Sequence, residues 1–400
     1  MESETKALSN KSALPLVLGF MGFWANGDNY AAAPLLPSIA ADLGISISRA
    51  GLTVTAYMLS FGLFTILFGP LSDKFGKGRV IKTAAFGTSL FSILGGLSFN
   101  FESLVLFRAM NGMFGAGIFP VTMALIGSEF GDRERQGALA KVMGLGFLGG
   151  ASATVIGGTL AQVGSWRTVY ILYGIAELVL SFFVLRLVPN GTIAKDKFNL
   201  FKSYGMAFKN HRLVLLVSIL FGVGFSVFGT FSYSGFYAQS ITHLPIILVG
   251  LIVAAFGIGT VTSSKFISVF QARLGLKQLP CAGLIGFASL LALVLATTFV
   301  QIAVPLLVIG FYGFGLAFVI IQSTAAMTAQ GLLPGLRGTV MSMVSFAMFV
   351  GGGIGTTVNG LIIASGYIRF MYAIAAVLIF SVALCLWRIL KRIQLEKTSK

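Results

Sequence analysis

Apolar residues in this chain come in long runs, with short polar groups between them. A helix needs about 20 apolar residues to cross a hydrocarbon core of roughly 30 Å. Runs of that length lie near 14–36, 50–70, 80–99, 103–126, 137–160, 166–188, 213–237, 246–268, 278–298, 301–325, 338–363 and 367–388. The pattern predicts an all-α membrane protein with twelve spanning helices. The narrowest division lies between the ninth and tenth runs, at 298–301. The longest polar interval, 189–212, holds Lys195, Asp196, Lys197, Lys202, Lys209, His211 and Arg212, and reads as a solvated basic link. It divides the chain into a tail at 1–12, a six-helix bundle at 13–188, the linker at 189–212, a second six-helix bundle at 213–388 and a tail at 389–400.

Composition agrees with the pattern. Hydrophobic residues make up 56% of the chain and charged residues 10%, against about 25% charged in a soluble domain. A soluble enzyme, a disordered chain and a nucleic-acid binder are excluded on these grounds. The net charge of +16 has another origin. With both termini placed in the cytoplasm, every Lys and Arg except Arg49, Arg108, Arg167 and Arg369 falls on the cytoplasmic side, which is the positive-inside bias. The expected location is a bacterial-type cytoplasmic membrane, with both termini cytoplasmic. The first run has no basic segment before it and no Ala-x-Ala site, so it is expected to be a retained span. Cys281 and Cys385 sit alone in apolar runs, and neither a structural disulfide nor a metal cluster is expected from them.

The two halves echo one another. Lys74-Phe-Gly76 after the second span matches Arg273-Leu-Gly275 after the eighth, and Arg135-Gln-Gly137 matches Arg337-Gly338. Such spacing predicts parallel repeats related about the membrane normal. The second copy has Ala272 where the first has Asp73.

Three ionisable residues fall inside the spans: Asp28, Arg108 and Glu177. Each costs several kcal/mol there unless paired or neutralised. Asp28 lies about 22 Å from the inner end of its helix and Arg108 about 8 Å from the outer end of its own, at 1.5 Å per residue. The two therefore fall at similar depth, and both are expected to line the cavity between the halves. Whether they form a static pair or a functional one stays open on this reading, as does the role of Glu177, whose partner the sequence does not name. His211 and His243 read as surface residues.

With Gly69, Leu71, Asp73, Lys74, Gly76 and Lys77 after the second span, then Arg79, the chain resembles the major facilitator superfamily. Arg108 followed by Asn111-Gly112, and Trp166-Arg167 opening the sixth span, carry the same resemblance. Asn26-Gly-Asp28 with Pro34 and Pro37, then Asp42-Leu-Gly44, is similar to the drug:proton antiporter branch. The fifth span departs from that branch: Ala153-Thr-Val-Ile-Gly-Gly158 stands where antiporters often carry Gly-Pro-x-x-Gly-Gly. The resemblance implies that Asp28 and Arg108 couple protons, the first-span acid taking protons or a cationic substrate and the fourth-span arginine tuning it; Glu177 is a candidate second proton site beside them, or a packing residue bonded to a neighbouring helix. It also implies an inner gate built on Gly69, Asp73, Lys74, Gly76, Arg79 and Arg133.

A transport site needs polar or aromatic groups on apolar helices. The candidates are Trp24, Asn29, Tyr30, Tyr57, Asn111 and Met123 in the first half. In the second they are Phe231, Tyr233, Phe236, Tyr237, Gln322 and Asn359. Aromatic faces hold cations, and Met fills irregular gaps. No glycine run ends in Gly-Lys-Ser/Thr, so no ATPase motor is evident, and no nucleophile with its base points to an enzyme. The expected function is proton-coupled export of small amphipathic or lipophilic compounds by alternating access. The expected partners are a small-molecule substrate, protons and membrane lipids, with no cofactor, no nucleic acid and a single-chain assembly. Transport of a specific polar metabolite, or a non-transporting receptor or scaffold, remain the alternatives.

Overall fold

The computed structural model describes residues 2–190, 200–333 and 336–398. Lys195, Asp196 and Lys197 of the basic link lie outside the described residues, and so do the side chains of Lys202, Asp73 and Arg133. Among the described residues every regular element is helical. The first half holds α1 (Glu2–Leu43), α2 (Ile47–Phe75), α3 (Lys77–Gly96), α4 (Phe101–Gly115), α5 (Phe119–Glu129), α6 (Asp132–Val163) and α7 (Trp166–Leu187). A short α8 (Leu200–Lys209) follows. The second half holds α9 (His211–Phe231), α10 (Ser234–Thr242), α11 (Ile246–Leu274), α12 (Gln278–Ala296), α13 (Ala303–Leu332), α14 (Arg337–Ala364) and α15 (Ile368–Thr398).

Nine described segments are long and apolar enough to cross a membrane. One of them, Ile246–Ala296, is two helices, α11 and α12, separated at Gly275. Adding α1 and α3 completes the twelve crossings. Polar residues account for their lower apolar content: α1 carries Asn26, Asp28 and Asn29 in its middle, and α3 begins with Lys77, Arg79 and Lys82.

Two crossings are broken where an unbroken run was expected. The fourth is α4 followed by α5. Pro120 has no N–H to give the carbonyl of Ala116, and the chain turns between them. The seventh is α9 followed by α10, with a turn at Ser232 and Tyr233. The link is also more than a loop. In α8, Tyr204 and Ala207 are buried while Met206 and Phe208 are exposed. The Tyr204 hydroxyl donates to the Ile66 carbonyl of α2 at 3.1 Å, tying the link to the first half.

The repeat has a conformational basis. Gly76 joins α2 to α3 at φ 94°, and Gly275 follows α11 at φ 52°. A side chain at positive φ meets its own backbone, so both turns favour glycine. Gly76→Ala is expected to lower stability by about 1–3 kcal/mol, read as a fall in the thermal unfolding temperature in detergent.

Within the first half, α1 packs on α6 and α7, and α3 on α4 and α7. Within the second, α9 packs on α14 and α15, and α13 on α11 and α12. The halves meet along α2 with α14 and α6 with α11, and α1 also touches α10. Across the first contact, Thr55 Oγ1 donates to the Gly353 carbonyl at 3.3 Å, and the Phe61 and Phe349 rings stack with centroids 3.9 Å apart.

Candidate functional site

Asp28 and Arg108 come together in the interior of the first bundle, each 1% exposed. Arg108 Nη1 donates to both carboxylate oxygens of Asp28, at 3.1 and 3.2 Å. The guanidinium carbon lies 4.6 Å from the Tyr57 ring centroid on α2 and 5.0 Å from that of Tyr170 on α7. Two aromatic faces thus supplement one carboxylate in holding a desolvated cation. Among the described residues Nε and Nη2 of Arg108 have no hydrogen-bond partner. Ser92 of α3 and Asn111 of α4 face the Asp28 carboxylate. Both are engaged elsewhere, Ser92 Oγ donating to the Tyr170 carbonyl and Asn111 Nδ2 to that of Thr88, each at 3.0 Å.

The arginine can lie against Tyr57 because α2 and α4 approach backbone to backbone. A Cβ on Gly112, four residues beyond Arg108, would stand 2.2 Å from the Tyr57 carbonyl oxygen.

Glu177 is on α7, one turn beyond Tyr173, and is 0% exposed. Among the described residues neither of its carboxyl oxygens has a hydrogen-bond partner.

A narrow cavity lies between the halves, lined by Asn29, Tyr30, Ala32, Ala33, Val54, Met58, Phe228, Phe231 and Ser232. Asp28 and Arg108 do not line it; they sit behind it in the first bundle, with the neighbouring Asn29 as the link. The Asn29 side-chain oxygen is buried and, among the described residues, unpaired. Tyr30 meets the Phe228 and Phe231 rings edge to face, and Phe231 lies 4.6 Å from Phe256.

The other candidates are more dispersed. Trp24 meets Tyr173 edge to face at 5.2 Å. Met123 packs in a smaller apolar cluster of the first half. The Tyr233 hydroxyl crowds Gly51 and Gly360 across the α2–α14 contact. The Tyr237 hydroxyl donates to the Leu293 carbonyl at 2.7 Å within the second bundle. Phe236 and Gln322 are half-buried on α10 and α13, and Asn359 is buried on α14 against Gly229. Of the gate residues, Gly69 approaches Ser342 of α14, Gly76 makes the turn, and Lys74 and Arg79 are exposed.

Sequence reasoning missed two features. One is the aromatic wall formed by Phe61, Phe228, Phe318 and Phe349; with 37 Phe in the chain, no local signal separates these four. The other is a latch at the far end of α1. Asp42 accepts from Arg167 Nη1, and from Trp166 Nε1 at 3.2 Å. Both motifs were visible, but nothing in them announces the pairing.

The latch lies beyond the apolar part of α1. The Arg167 guanidinium holds the Asp42 carboxyl below the usual carboxylate range, against the smaller opposing effect of partial burial and with a lesser contribution from the Trp166 indole. The pair is partly exposed, so it contributes at most about 1 kcal/mol. That contribution is present above the unfolded value near 3.9 and is lost as pH falls through the lowered folded value. Asp42→Asn is therefore expected to unfold slightly earlier than wild type at neutral pH, and at the same temperature once the medium is acidic enough to protonate Asp42.

The family model described as Major Facilitator Superfamily matches residues 18–355. The chain is 26% identical to the uncharacterised MFS-type transporter YceJ of Bacillus subtilis (strain 168), over 84% of this chain and 86% of that one. It is 23% identical to the chloramphenicol resistance protein CraA of Acinetobacter baumannii, over 86% of this chain and 85% of that one. Among solved structures, a bacterial homologue of the human lysosomal transporter Spinster, inward-facing and unoccupied, matches with a TM-score of 0.73. That match has 15% identity and covers 95% of this chain and 97% of that one, which is likeness of fold.

Proposed function

The chain belongs to the Major Facilitator Superfamily, and on that premise we propose that it is a proton-coupled exporter of small amphipathic or lipophilic compounds. It is an integral membrane transporter of a small-molecule substrate and not an enzyme. The proposal adds the coupling ion, the direction and the substrate class. The observation that carries it is the Asp28–Arg108 pair, buried in apolar surroundings one residue from the cavity between the halves. A pair that only locks helices is readily replaced by apolar packing. An acid that must take up and give back a proton cannot be.

In the proposed cycle the bundles 13–188 and 213–388 rock about the α2–α14 and α6–α11 contacts. The cavity is too narrow for a drug-sized compound, so the Phe61–Phe349 stack must part to admit one. The aromatic lining then supplies apolar contact and Asn29 an unpaired acceptor. Proton uptake at Asp28 removes the charge that holds Arg108, and the first bundle loses a constraint between α1 and α4. The segment from Gly69 to Arg79, with Arg133, forms the proposed inner gate. The distribution of Lys and Arg supports a cytoplasmic position for the linker and both termini in a bacterial-type cytoplasmic membrane. A relative named for chloramphenicol resistance supports the substrate class.

The test uses purified protein in proteoliposomes with chloramphenicol and puromycin as probes. With the lumen more acidic than the bath, the proposal predicts that at least one probe accumulates against its gradient. Equal uptake with and without the pH gradient would refute it.

A further inference from the structure

Glu177 has no place in the cycle described so far. It is a fully buried acid, and among the described residues neither of its oxygens is hydrogen-bonded. A buried carboxylate without a partner carries a penalty of several kcal/mol even after relaxation; the neutral acid does not. The Thr88 hydroxyl of α3 faces it but donates to the Ala84 and Ala85 carbonyls of its own helix. The ionisable groups near enough to act on it electrostatically are Asp28 from α1, Arg108 from α4 and Tyr57 from α2, with Tyr173 on α7 itself. α6 also packs on α7 and has no ionisable residue between 142 and 163.

Two acids and one base therefore share a dry compartment. Electroneutrality there requires one proton between the two acids. With Asp28 paired to Arg108, that proton belongs on Glu177. The guanidinium also keeps two buried donors, Nε and Nη2, without a hydrogen-bond partner among the described residues. We infer that Asp28 and Glu177 hold a single proton in common against the one charge of Arg108, Glu177 carrying it in this conformation and releasing it when Asp28 takes one up. The step balances: one proton enters at Asp28, one leaves from Glu177, and Arg108 faces one carboxylate before and after. No charge is stranded in the apolar interior at either stage, and the two acids titrate as a pair. The inference rests on the proposed role of Asp28 and adds a second proton-carrying residue to it.

Infrared difference spectroscopy on the purified wild type, Glu177→Gln and Asp28→Asn at neutral pH tests this without a substrate. The wild type should show the carbonyl stretch of a protonated carboxylic acid that Glu177→Gln lacks. In Asp28→Asn the same band should be lost, because Glu177 gives up its proton to balance Arg108. If Glu177→Gln fails to fold, the wild type against Asp28→Asn carries the test alone. No such band in the wild type, or a band that persists in Asp28→Asn, overturns the inference. The exporter reading fails separately, if wild-type transport ignores a pH gradient while the infrared pattern holds.

Discussion

Asp28→Asn is expected to abolish transport driven by a pH gradient while leaving exchange of the same compound across a vesicle membrane in place. The substitution keeps the shape of the side chain and removes its ability to change charge. Exchange of labelled for unlabelled chloramphenicol needs only binding and rocking. Uphill transport needs an acid that takes a proton on one side and gives it up on the other. The gradient-driven rate should fall at least tenfold, a change of about 1.4 kcal/mol in the driving step. Arg108→Ala should fail differently. It removes a cation held by two carboxylate contacts and two aromatic rings. Breaking a buried pair from one side costs about 3–5 kcal/mol, so its thermal stability should fall along with its transport. Loss of exchange in Asp28→Asn, with the fold intact, would mean that the acid binds substrate rather than couples protons.

Gly112→Val carries the second large expectation. The new Cβ would stand 2.2 Å from the Tyr57 carbonyl oxygen, and backbone cannot yield as a flexible side chain does. α2 and α4 must separate. Overpacking of this kind costs about 1–3 kcal/mol. It also draws the Tyr57 ring away from Arg108, so a substitution that adds no charge should still alter the pH dependence of transport. Thermal unfolding and a pH profile on the same preparation separate the two effects. An unchanged profile at reduced stability would confine Gly112 to packing.

The helical architecture was legible because lipid imposes a harsh rule. Every crossing needs a run of apolar residues, and the few ionisable residues within those runs are conspicuous. Depth arithmetic alone placed Asp28 and Arg108 at one level, and they are in contact at 3.1 Å. The Gly76 and Gly275 echo was legible too, since a turn at positive φ demands the same residue in each copy. The arithmetic did not give lateral position. It placed the pair on the cavity wall, whereas the helices put it one layer behind, because depth says nothing about which face of a helix a residue occupies. Pro120 signalled the break between α4 and α5, but the long apolar run masked it. Asp42 and Arg167 were each visible in a motif, yet a surface charge has many possible partners and the pairing is fixed only by how α1 and α7 end. The aromatic wall was the least legible, since Phe is a common residue on lipid-facing, packing and cavity surfaces alike.

The most direct test of the central claim, that Asp28 carries a proton in exchange for substrate, drives the cycle backwards. Proteoliposomes loaded with chloramphenicol and an entrapped pH-sensitive dye are diluted into drug-free buffer of equal pH, with membrane potential clamped. The account predicts that drug leaving down its gradient draws protons inward, so the lumen acidifies in the wild type and not in Asp28→Asn. Drug efflux through the wild type with no change in lumen pH would contradict it.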